Sequence, residues 1–260
     1  MAHYKNHPNG SFCWAELKTH NLEGTKTFYN KLFDWKAKSI PMSDGEDYKM
    51  FLHKGEEICG FYKLKNYLQS KNTSPYWQPY VSVESVDTIA KGVEKFGGKA
   101  MMEPFDVSDS GRMTFIQDPD NASLGIWQPK NGIGTKYKNE FNTICWVELA
   151  TNKIEESINF YGNLFGWIST VSNFGTVQYF TFKNGDIPEA GMYKKPIEQD
   201  AIPSHWLIYF CVEDCTKTVE IARKNGANII KEPENIPTVG TFAIIQDPYG
   251  AVFGIIRLEM

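Results

Sequence analysis

The sequence predicts an α+β protein built from four βαβββ modules that form two domains. The first observation is an internal repeat, because segment 12–17 returns as 144–149 with a Cys, a Trp, a Glu and a Leu in the same order. The second is that later segments repeat at the nearly equal offset of 129 residues, where 116–119 returns as 245–248. The third is length, since halves of about 130 residues can each bury a core. The chain is therefore expected to be a duplication.

The first module begins with a strand that has two different faces. Its residues alternate from Ser11 onward, and one face is apolar while the other is mixed. The apolar face is expected to carry Cys13, Ala15 and Leu17, and the mixed face Trp14, Glu16 and Lys18. A helix should cover the apolar face, beginning after the N-cap residue Asn21 and ending near Asp34.

The same module has clearer helix signals in the second half. Asn152 followed by Glu155 resembles a capping box, and Gly166 is suited to end the helix. Short strands between turn residues follow in both halves. We expect them at 48–52, 60–62, 177–182 and 191–193.

The second module repeats this order of elements. In the first half, a strand at 77–83 precedes a helix that Gly97 and Gly98 stop, and three strands follow at 99–102, 113–117 and 123–127. In the second half, the strand and helix are expected at 207–212 and 216–224, and the three strands at 228–231, 242–246 and 252–258.

These elements define the expected domain boundaries. Residues 1–10 form an N-terminal tail, 11–128 the first domain, and 141–260 the second. Residues 129–140 form the linker, because proline and glycine stand there among lysines and asparagines.

Composition excludes several classes of function. A formal net charge of -4 and the absence of a basic stripe argue against nucleic acid as a partner. The N-terminus has no apolar run, so no signal peptide or membrane partner is expected. Five cysteines without CxxC spacing suit a reducing cytoplasm better than a disulfide framework, and we expect a cytoplasmic protein.

A motif of the form W-x-E-L…FY…LFGW lies at the start of each half, most clearly at Trp146, Glu148, Phe160–Tyr161 and Leu164–Trp167. Together with the four modules and the Asp-Pro turns before the last strands, it resembles the vicinal oxygen chelate superfamily of glyoxalases, bleomycin resistance proteins and extradiol dioxygenases. The sequence is similar to tandem, glyoxalase-like members. The resemblance implies two half-open barrels, each with a concave face that holds a ligand.

The resemblance also implies where metal-dependent members place their ligands. Those positions fall on Trp14 and Trp146, on Gln78 and Leu207, and on Gly125 and Gly254, with a fourth near 60–62 and 191–193. Indole, leucine and glycine side chains offer no metal ligand. We therefore expect no metal and no other cofactor.

Glu16 and Glu148 are the leading candidates for catalysis, because strand alternation directs both carboxylates away from the helices. A carboxylate on an apolar wall needs a partner or takes up a proton. One interpretation is a general base or an acceptor for substrate. The other is a structural glutamate that accepts hydrogen bonds from Tyr80, Tyr209 or a Trp. His205 is a third catalytic candidate, and its alternative is a residue at the rim.

The candidate ligand-binding residues are mostly aromatic. They are Trp14, Gln78, Tyr80, Trp127, Trp146 and Tyr209, all expected on the concave faces. Gly125 and Gly254 should leave room there, either for a ligand or for a facing Trp. A pocket of this composition suits a planar or apolar small molecule.

The sequence thus predicts a protein that binds a small organic molecule in a metal-free, aromatic-lined cavity. The alternative is a metal-dependent lyase, isomerase or dioxygenase, similar to lactoylglutathione lyase or to hydroxylase-like members. A third possibility is an interaction protein whose pockets are filled by indole rings. The chain is expected to act as a monomer of two paired domains or as a homodimer.

Overall fold

The computed structural model describes residues 3–41, 47–64, 74–174 and 177–259. The elements of the first half are β1 Phe12–Thr19, α1 Leu22–Phe33, β2 Lys36–Pro41, β3 Asp47–His53, β4 Glu56–Lys63, β5 Tyr76–Ser82, α2 Val86–Gly92, β6 Lys99–Ala100, β7 Phe105–Val107, β8 Gly111–Gln117 and β9 Ser123–Pro129. Those of the second half are β10 Ile144–Thr151, α3 Ile154–Phe165, β11 Ile168–Phe174, β12 Val177–Asn184, β13 Ile187–Lys194, β14 His205–Cys211, α4 Cys215–Lys224, β15 Asn228–Ile236, β16 Gly240–Gln246 and β17 Val252–Leu258.

Each half forms one mixed sheet. The strand order is β2-β3-β4-β1-β5-β9-β8-β6 in the first, where β7 also pairs with β8, and β11-β12-β13-β10-β14-β17-β16-β15 in the second. In both sheets the first strands of the two modules are antiparallel neighbours, and each is parallel to the last strand of its own module. The α+β arrangement of βαβββ modules is therefore confirmed.

The two helix-bearing faces pack against each other in one continuous core. The ring of Phe33 on α1 lies 5.3 Å from that of Phe210 on β14, and Phe12 on β1 lies 5.4 Å from Trp206. The opposite faces carry the candidate site. We call the face with Trp14, Glu16 and Lys18 the first inner face, and the face with Trp146, Glu148 and Ala150 the second inner face.

Strand β1 contains a β-bulge, so its side chains do not alternate as the sequence predicts. The pairing with β5 shifts between Phe12 and Trp14, so Phe12 joins the helix-side core and Cys13 packs with Trp14 and Tyr80 on the first inner face. The prediction that Cys13 shares a face with Ala15 was wrong because one extra residue reverses the alternation at that point.

Helix α1 begins and ends where the sequence predicts. The Asn21 side chain accepts a hydrogen bond of 2.9 Å from the amide of Gly24, and Asp34 ends the helix in the left-handed conformation with φ 55°. Strand β1 and helix α1 therefore form the strand–helix unit that the sequence predicts.

The predicted capping box of helix α3 is wrong. The N-cap residue is Lys153, which has no side-chain cap, and Asn152 instead donates its backbone amide to the Asp120 carboxylate at 2.7 Å. Thr151 also donates its hydroxyl to Asp120, at 2.8 Å. A carboxylate from the first half therefore accepts hydrogen bonds at the N-terminus of a helix in the second half. A local sequence motif cannot reveal a contact between such distant segments.

Residues between the two sheets pack on the first half. The amides of Thr135 and Lys136 donate to the carbonyls of Cys13 and Glu57, and the Lys138 ammonium donates to the carbonyl of Phe12 at 2.8 Å. Among the described residues, no helix is both long and apolar enough to cross a membrane.

Candidate functional site

The first inner face has Glu16 at its centre. The Tyr48 hydroxyl donates to its Oε1 at 2.6 Å, and the Tyr80 hydroxyl donates to its Oε2. The indole nitrogen of Trp14 donates to the Tyr48 hydroxyl at 3.1 Å. Strands β1, β3 and β5 thus place a Trp, a Glu and two Tyr side chains in one hydrogen-bonded cluster.

The second inner face repeats this cluster around Glu148. The Tyr179 hydroxyl donates to Oε1 at 2.8 Å, and the Tyr209 hydroxyl donates to Oε2 at 2.9 Å. The indole nitrogen of Trp146 donates to the Tyr179 hydroxyl at 2.8 Å. In each half, both carboxylate oxygens of the glutamate therefore accept a hydrogen bond from a tyrosine hydroxyl. These are the contacts expected of a structural glutamate.

Glycines on neighbouring strands make room for these tyrosine rings. A Cβ added at Gly125 would overlap the ring of Tyr80, and one added at Gly254 would overlap the ring of Tyr209. Gly60 and Gly191 are related in the same way to the hydroxyls of Tyr48 and Tyr179. The space that the sequence assigned to a ligand or a Trp is thus taken by tyrosine.

Burial is the main influence on the charge of the two glutamates. It raises the pKa of Glu16 and of Glu148, and the tyrosine hydrogen bonds oppose that rise. The Lys18 ammonium also lowers the pKa of Glu16. Glu16 is 9% exposed and Glu148 is somewhat more exposed, so the two carboxylates are similarly enclosed.

Lys18 occupies the first inner face beside Glu16. The side chain is buried, and its ammonium donates to the Tyr76 hydroxyl at 2.9 Å. The nitrogen also lies 4.3 Å from the ring centroid of Phe115 and 5.9 Å from that of Tyr62. These are cation–π distances, so aromatic rings and a neighbouring carboxylate hold the charge.

The second inner face has Ala150 where the first has Lys18. Lys18 pairs across the sheet with Tyr62 and Tyr76, and Ala150 pairs in the same register with Tyr193 and His205. The second half therefore has a methyl group in place of the aminobutyl side chain, and Ala150 is itself buried.

Gln78 and Trp127 make hydrogen bonds within the protein. Gln78 is 1% exposed, donates to the carbonyl of Ser123 at 2.9 Å and accepts the hydroxyl of the same residue at 2.9 Å. The indole nitrogen of Trp127 donates to the carbonyl of Gly132 at 2.8 Å. On the second inner face the residue equivalent to Gln78 is Leu207, so that surface is more apolar.

His205 lies at the start of β14, partly exposed. Its Nδ1 is 2.9 Å from the carbonyl oxygen of Pro203. Burial lowers its pKa, the bond to Pro203 opposes this, and the nearby Lys195 ammonium lowers it further. The ring is therefore neutral near pH 7.

The residues present do not fit the metal centre that the resemblance implies. Three of the positions on the first inner face are held by an indole, an amide already paired with Ser123, and a glycine covered by a tyrosine: Trp14, Gln78 and Gly125. In the fourth region, 60–62, Gly60 is covered by the Tyr48 hydroxyl. Among the described residues, no group of three His, Cys, Asp or Glu side chains could hold a metal ion. Indole and glycine side chains cannot coordinate a divalent cation.

Comparison with known proteins identifies the family. Residues 143–255 match the model of the Glyoxalase/Bleomycin resistance protein/Dioxygenase superfamily. CFP32 of Mycobacterium bovis, named as a candidate glyoxylase, is 34% identical over 246 residues, covering 94% of this chain and 93% of its own. The chain belongs to this superfamily. The resemblance seen in the sequence is thereby confirmed.

Other superfamily members match over nearly the whole chain. DnrV of Streptomyces peucetius, named as an anthracycline biosynthesis protein, is 27% identical over 96% of this chain and 94% of its own. The Mn(II)-bound glyoxalase from Novosphingobium aromaticivorans superimposes with a TM-score of 0.66 at 14% identity, covering 96% of this chain and 83% of that one. The dioxygenase LapB of Pseudomonas sp. KL28 gives 0.67 at 13% identity, covering 97% and 94%. At such identities these two structures establish the fold.

Three side chains on the inner faces have a role that the sequence did not predict. Tyr48 and Tyr179 donate to the glutamates from strands that are not sequence neighbours, and Lys18 fills the first inner face. A signal for the tyrosines was present, since they are 131 residues apart, an offset close to those of the repeated segments.

Proposed function

We propose that this superfamily member binds a small organic molecule on its second inner face, beside Glu148. One observation carries the proposal: equivalent hydrogen-bonded clusters differ in access. Tyr209 and Leu207 on the second inner face are 6% and 7% exposed, whereas Tyr80 and Gln78 at the equivalent positions of the first are each 1% exposed. The first half then serves as a closed structural copy and the second as the binding half.

The chemistry of the second inner face supports a ligand with a flat apolar ring. Trp146 and Tyr193 supply partly exposed aromatic surface, and Leu207 and Ile244 supply aliphatic surface. Apolar walls with a few polar groups are typical of small-molecule sites. The Glu148 carboxylate is a strong acceptor there, so the ligand is expected to carry a hydrogen-bond donor.

The relatives support the same class of ligand. DnrV is named for anthracycline biosynthesis, and anthracyclines are fused-ring aromatic compounds. The match covers 96% of this chain, so the comparison includes the second inner face. A fused aromatic ring is therefore the first probe to test.

The experiment is calorimetric titration with naphthylmethanol, which combines a fused ring with a hydroxyl donor. We expect one molecule bound per chain, and a loss of about tenfold in affinity for Glu148→Gln, because a hydrogen bond to a carboxylate contributes about 1.5–3 kcal/mol. Glu16→Gln is the matched control and should keep the wild-type affinity. Equal losses in both variants, or no binding of naphthyl probes, would refute the proposal.

An enzyme acting through Glu148 is the second candidate function. It is favoured by the burial that raises the pKa of Glu148, since a general base works best when its pKa lies near the working pH. For a compound that the wild type turns over, Glu148→Gln should abolish turnover while binding weakens only about tenfold. Turnover that survives the substitution would exclude this role.

A metal-dependent reaction is the alternative that the side chains support least. The first-strand position is a Trp in both halves, and the last-strand position is a Gly in both. We expect Mn²⁺ to leave the melting temperature unchanged. Metal bound near one ion per half, with stabilisation of the fold, would restore a lyase or dioxygenase as the leading candidate.

A further inference from the structure

We propose that Cys145 and Cys211 form a reversible disulfide when the protein meets a hydroperoxide, so that the second half carries a site of oxidative modification. The inference goes beyond the proposed function, because it does not depend on any ligand of the inner faces. Cys145 is on β10, and Cys211 ends β14, the antiparallel strand beside it in the sheet. Both are free thiols in this structure.

A β-bulge in β10 places the two side chains on the same face. The pairing with β14 shifts between Ile144 and Trp146, so Cys145 is the extra residue and packs beside Tyr209 on the second inner face. Its sulfur is 3.6 Å from the carbonyl oxygen of Tyr209, which is two positions before Cys211 and therefore faces the same side of the strand. The two thiols are in side-chain hydrogen-bonding contact. Joining them therefore requires no new pairing of the strands.

The surroundings favour Cys211 as the thiolate of the pair. The hydrogen bond with Cys145 lowers its pKa, and the guanidinium of Arg257 adds to this, against the effect of burial. The same hydrogen bond raises the pKa of the Cys145 thiol well above its usual value, and burial raises it further, so Cys145 keeps its proton. A thiolate next to a thiol supplies both the nucleophile that meets the oxidant and the group that closes the disulfide.

Cys215 lies close to this pair but is held by another contact. Its thiol donates to the carbonyl oxygen of Thr241 at 2.9 Å, and burial raises its pKa to about 11. Cys215 is therefore protonated near neutral pH and already hydrogen-bonded. We expect the disulfide to join positions 145 and 211 and to leave Cys215 reduced.

The pair lies near the surface, at one end of the second sheet. Cys145 is partly exposed, and Cys211 is 6% exposed. Cys211 pairs with Ile256 on β17, just before the partly exposed Arg257 and Leu258, which is 39% exposed. Hydrogen peroxide is little larger than water, so it needs only a narrow approach to the Cys211 sulfur.

The first half has the same bulge without the second thiol. Its extra residue is Cys13, which is fully buried and whose pKa burial raises to about 12. Ser82 takes the position of Cys211 there, and Gln128 takes that of Arg257. A hydroxyl therefore stands where the second half has a thiol, and an amide where it has a guanidinium. Cys13 is thus an internal control for the reaction.

The reaction consumes one peroxide for each disulfide. The Cys211 thiolate attacks one peroxide oxygen, the O–O bond breaks, and the hydroxide that leaves takes a proton to become water. The sulfenic acid formed on Cys211 is then attacked by the Cys145 sulfur. The S–O bond breaks, and the second water leaves with the Cys145 proton. The two thiols are thereby oxidised to a disulfide while the peroxide is reduced to two waters, and a dithiol reductant reverses the change.

The direct test is peptide mass spectrometry of the folded protein after treatment with hydrogen peroxide, with the remaining thiols alkylated under denaturing conditions. We expect a disulfide between positions 145 and 211 and the loss of two hydrogen atoms from the intact mass. Dithiothreitol should restore that mass. Cys13 and Cys215 should both be recovered as alkylated thiols.

Three variants separate the roles of the residues. In Cys145→Ser the sulfenic acid on Cys211 has no thiol to attack it, so dimedone should label Cys211. Cys211→Ser should abolish disulfide formation and leave Cys145 unlabelled by dimedone. Arg257→Gln, which copies the first half, should slow disulfide formation because it removes the cation beside the thiolate.

The wild-type peptide map decides the inference even if a variant folds poorly. Glutathione in the same solution shows that the peroxide is active. If glutathione is oxidised while positions 145 and 211 remain reduced, the inference is overturned. A disulfide between Cys211 and Cys215, or dimedone labelling of Cys13 equal to that of Cys211 in Cys145→Ser, would also contradict it.

Discussion

The hydroxyl of Tyr161 in the second half donates a hydrogen bond of 3.0 Å to the Asp118 carboxylate in the first half. The indole nitrogen of Trp206 donates to the same hydroxyl at 3.1 Å. Tyr161 belongs to the repeated Phe-Tyr pair of the first helix, and Asp118 to the repeated Asp-Pro turn. Two of the motifs that reveal the duplication therefore meet across the interface between the halves.

The reciprocal contact is also present. Tyr29 donates to Asp247 at 3.2 Å, and Trp77 donates to Tyr29 at 3.0 Å. Each Asp-Pro turn thus accepts a hydrogen bond from the first helix of the other half. Since these groups are buried, the two halves are expected to unfold together.

The Asp118 contact predicts a pH dependence of stability. Burial raises the pKa of Asp118 from its ordinary 3.8 to about 6, against the hydrogen bonds that it accepts. Between these values the folded protein holds a proton that the unfolded chain releases, so the contribution of this group to stability falls as pH rises. The difference corresponds to about 3 kcal/mol.

Asp118→Asn isolates that effect, because the amide keeps an oxygen for the turn and donates from its nitrogen to Tyr161. Measured by urea unfolding, the variant should gain about 2 kcal/mol relative to the wild type between pH 4 and pH 7. A constant difference over that interval would show that Asp118 titrates normally.

Gly254→Ala should disturb the second cluster selectively. The added Cβ would overlap the Tyr209 ring, which must then move away from Glu148. We expect a loss of about 1–3 kcal/mol in stability, together with weaker binding of the naphthyl probes. Gly125→Ala should cost similar stability through Tyr80 but leave binding unchanged.

Gly92→Ala is the control for these glycine substitutions. Gly92 ends helix α2, and the nearest atom to an added Cβ is 3.6 Å away. This variant should be neutral or more stable by up to about 1 kcal/mol, because Ala favours helix. If all three variants lose equal stability, ring overlap is not the cause.

Asp120→Ala should weaken the connection between the halves. Its carboxylate accepts hydrogen bonds from Thr151, from the amide of Asn152 and from the hydroxyl of Ser204. Removing it leaves these donors without that acceptor, so we expect thermal unfolding to show a loss of about 1–3 kcal/mol. The conservative variant Asp120→Asn should recover part of the loss, and an unchanged melting temperature for Asp120→Ala would contradict the assignment.

The sequence was a good guide to the fold because its signals are local and occur twice. Helix α1, with its cap at Asn21 and its end at Asp34, was predicted from residues next to one another. The bulge at Cys13 and the cap supplied by Asp120 were not, since they depend on strand register and on contact between distant segments. Local sequence patterns carry little information about strand register or about contacts between distant segments.

The candidate site was predicted only in part for the same reason. Placing Glu16 and Tyr80 together required only neighbouring strands, whereas Tyr48 reaches Glu16 from a strand two positions away in the sheet. The contrast between Lys18 and Ala150 was visible in the repeat. Its meaning depends on the aromatic rings that surround the lysine, which only the folded chain brings together.

The central claim is that a ligand binds on the second inner face and not on the first. The most direct measurement is the NMR signal of the indole N–H groups of the seven tryptophans during titration with naphthylmethanol, with Trp146→Phe and Trp14→Phe used for assignment. We expect the Trp146 signal to shift with saturation while the Trp14 signal stays in place, because Lys18 fills the first inner face. A shift of Trp14 with Trp146 unchanged would contradict the account.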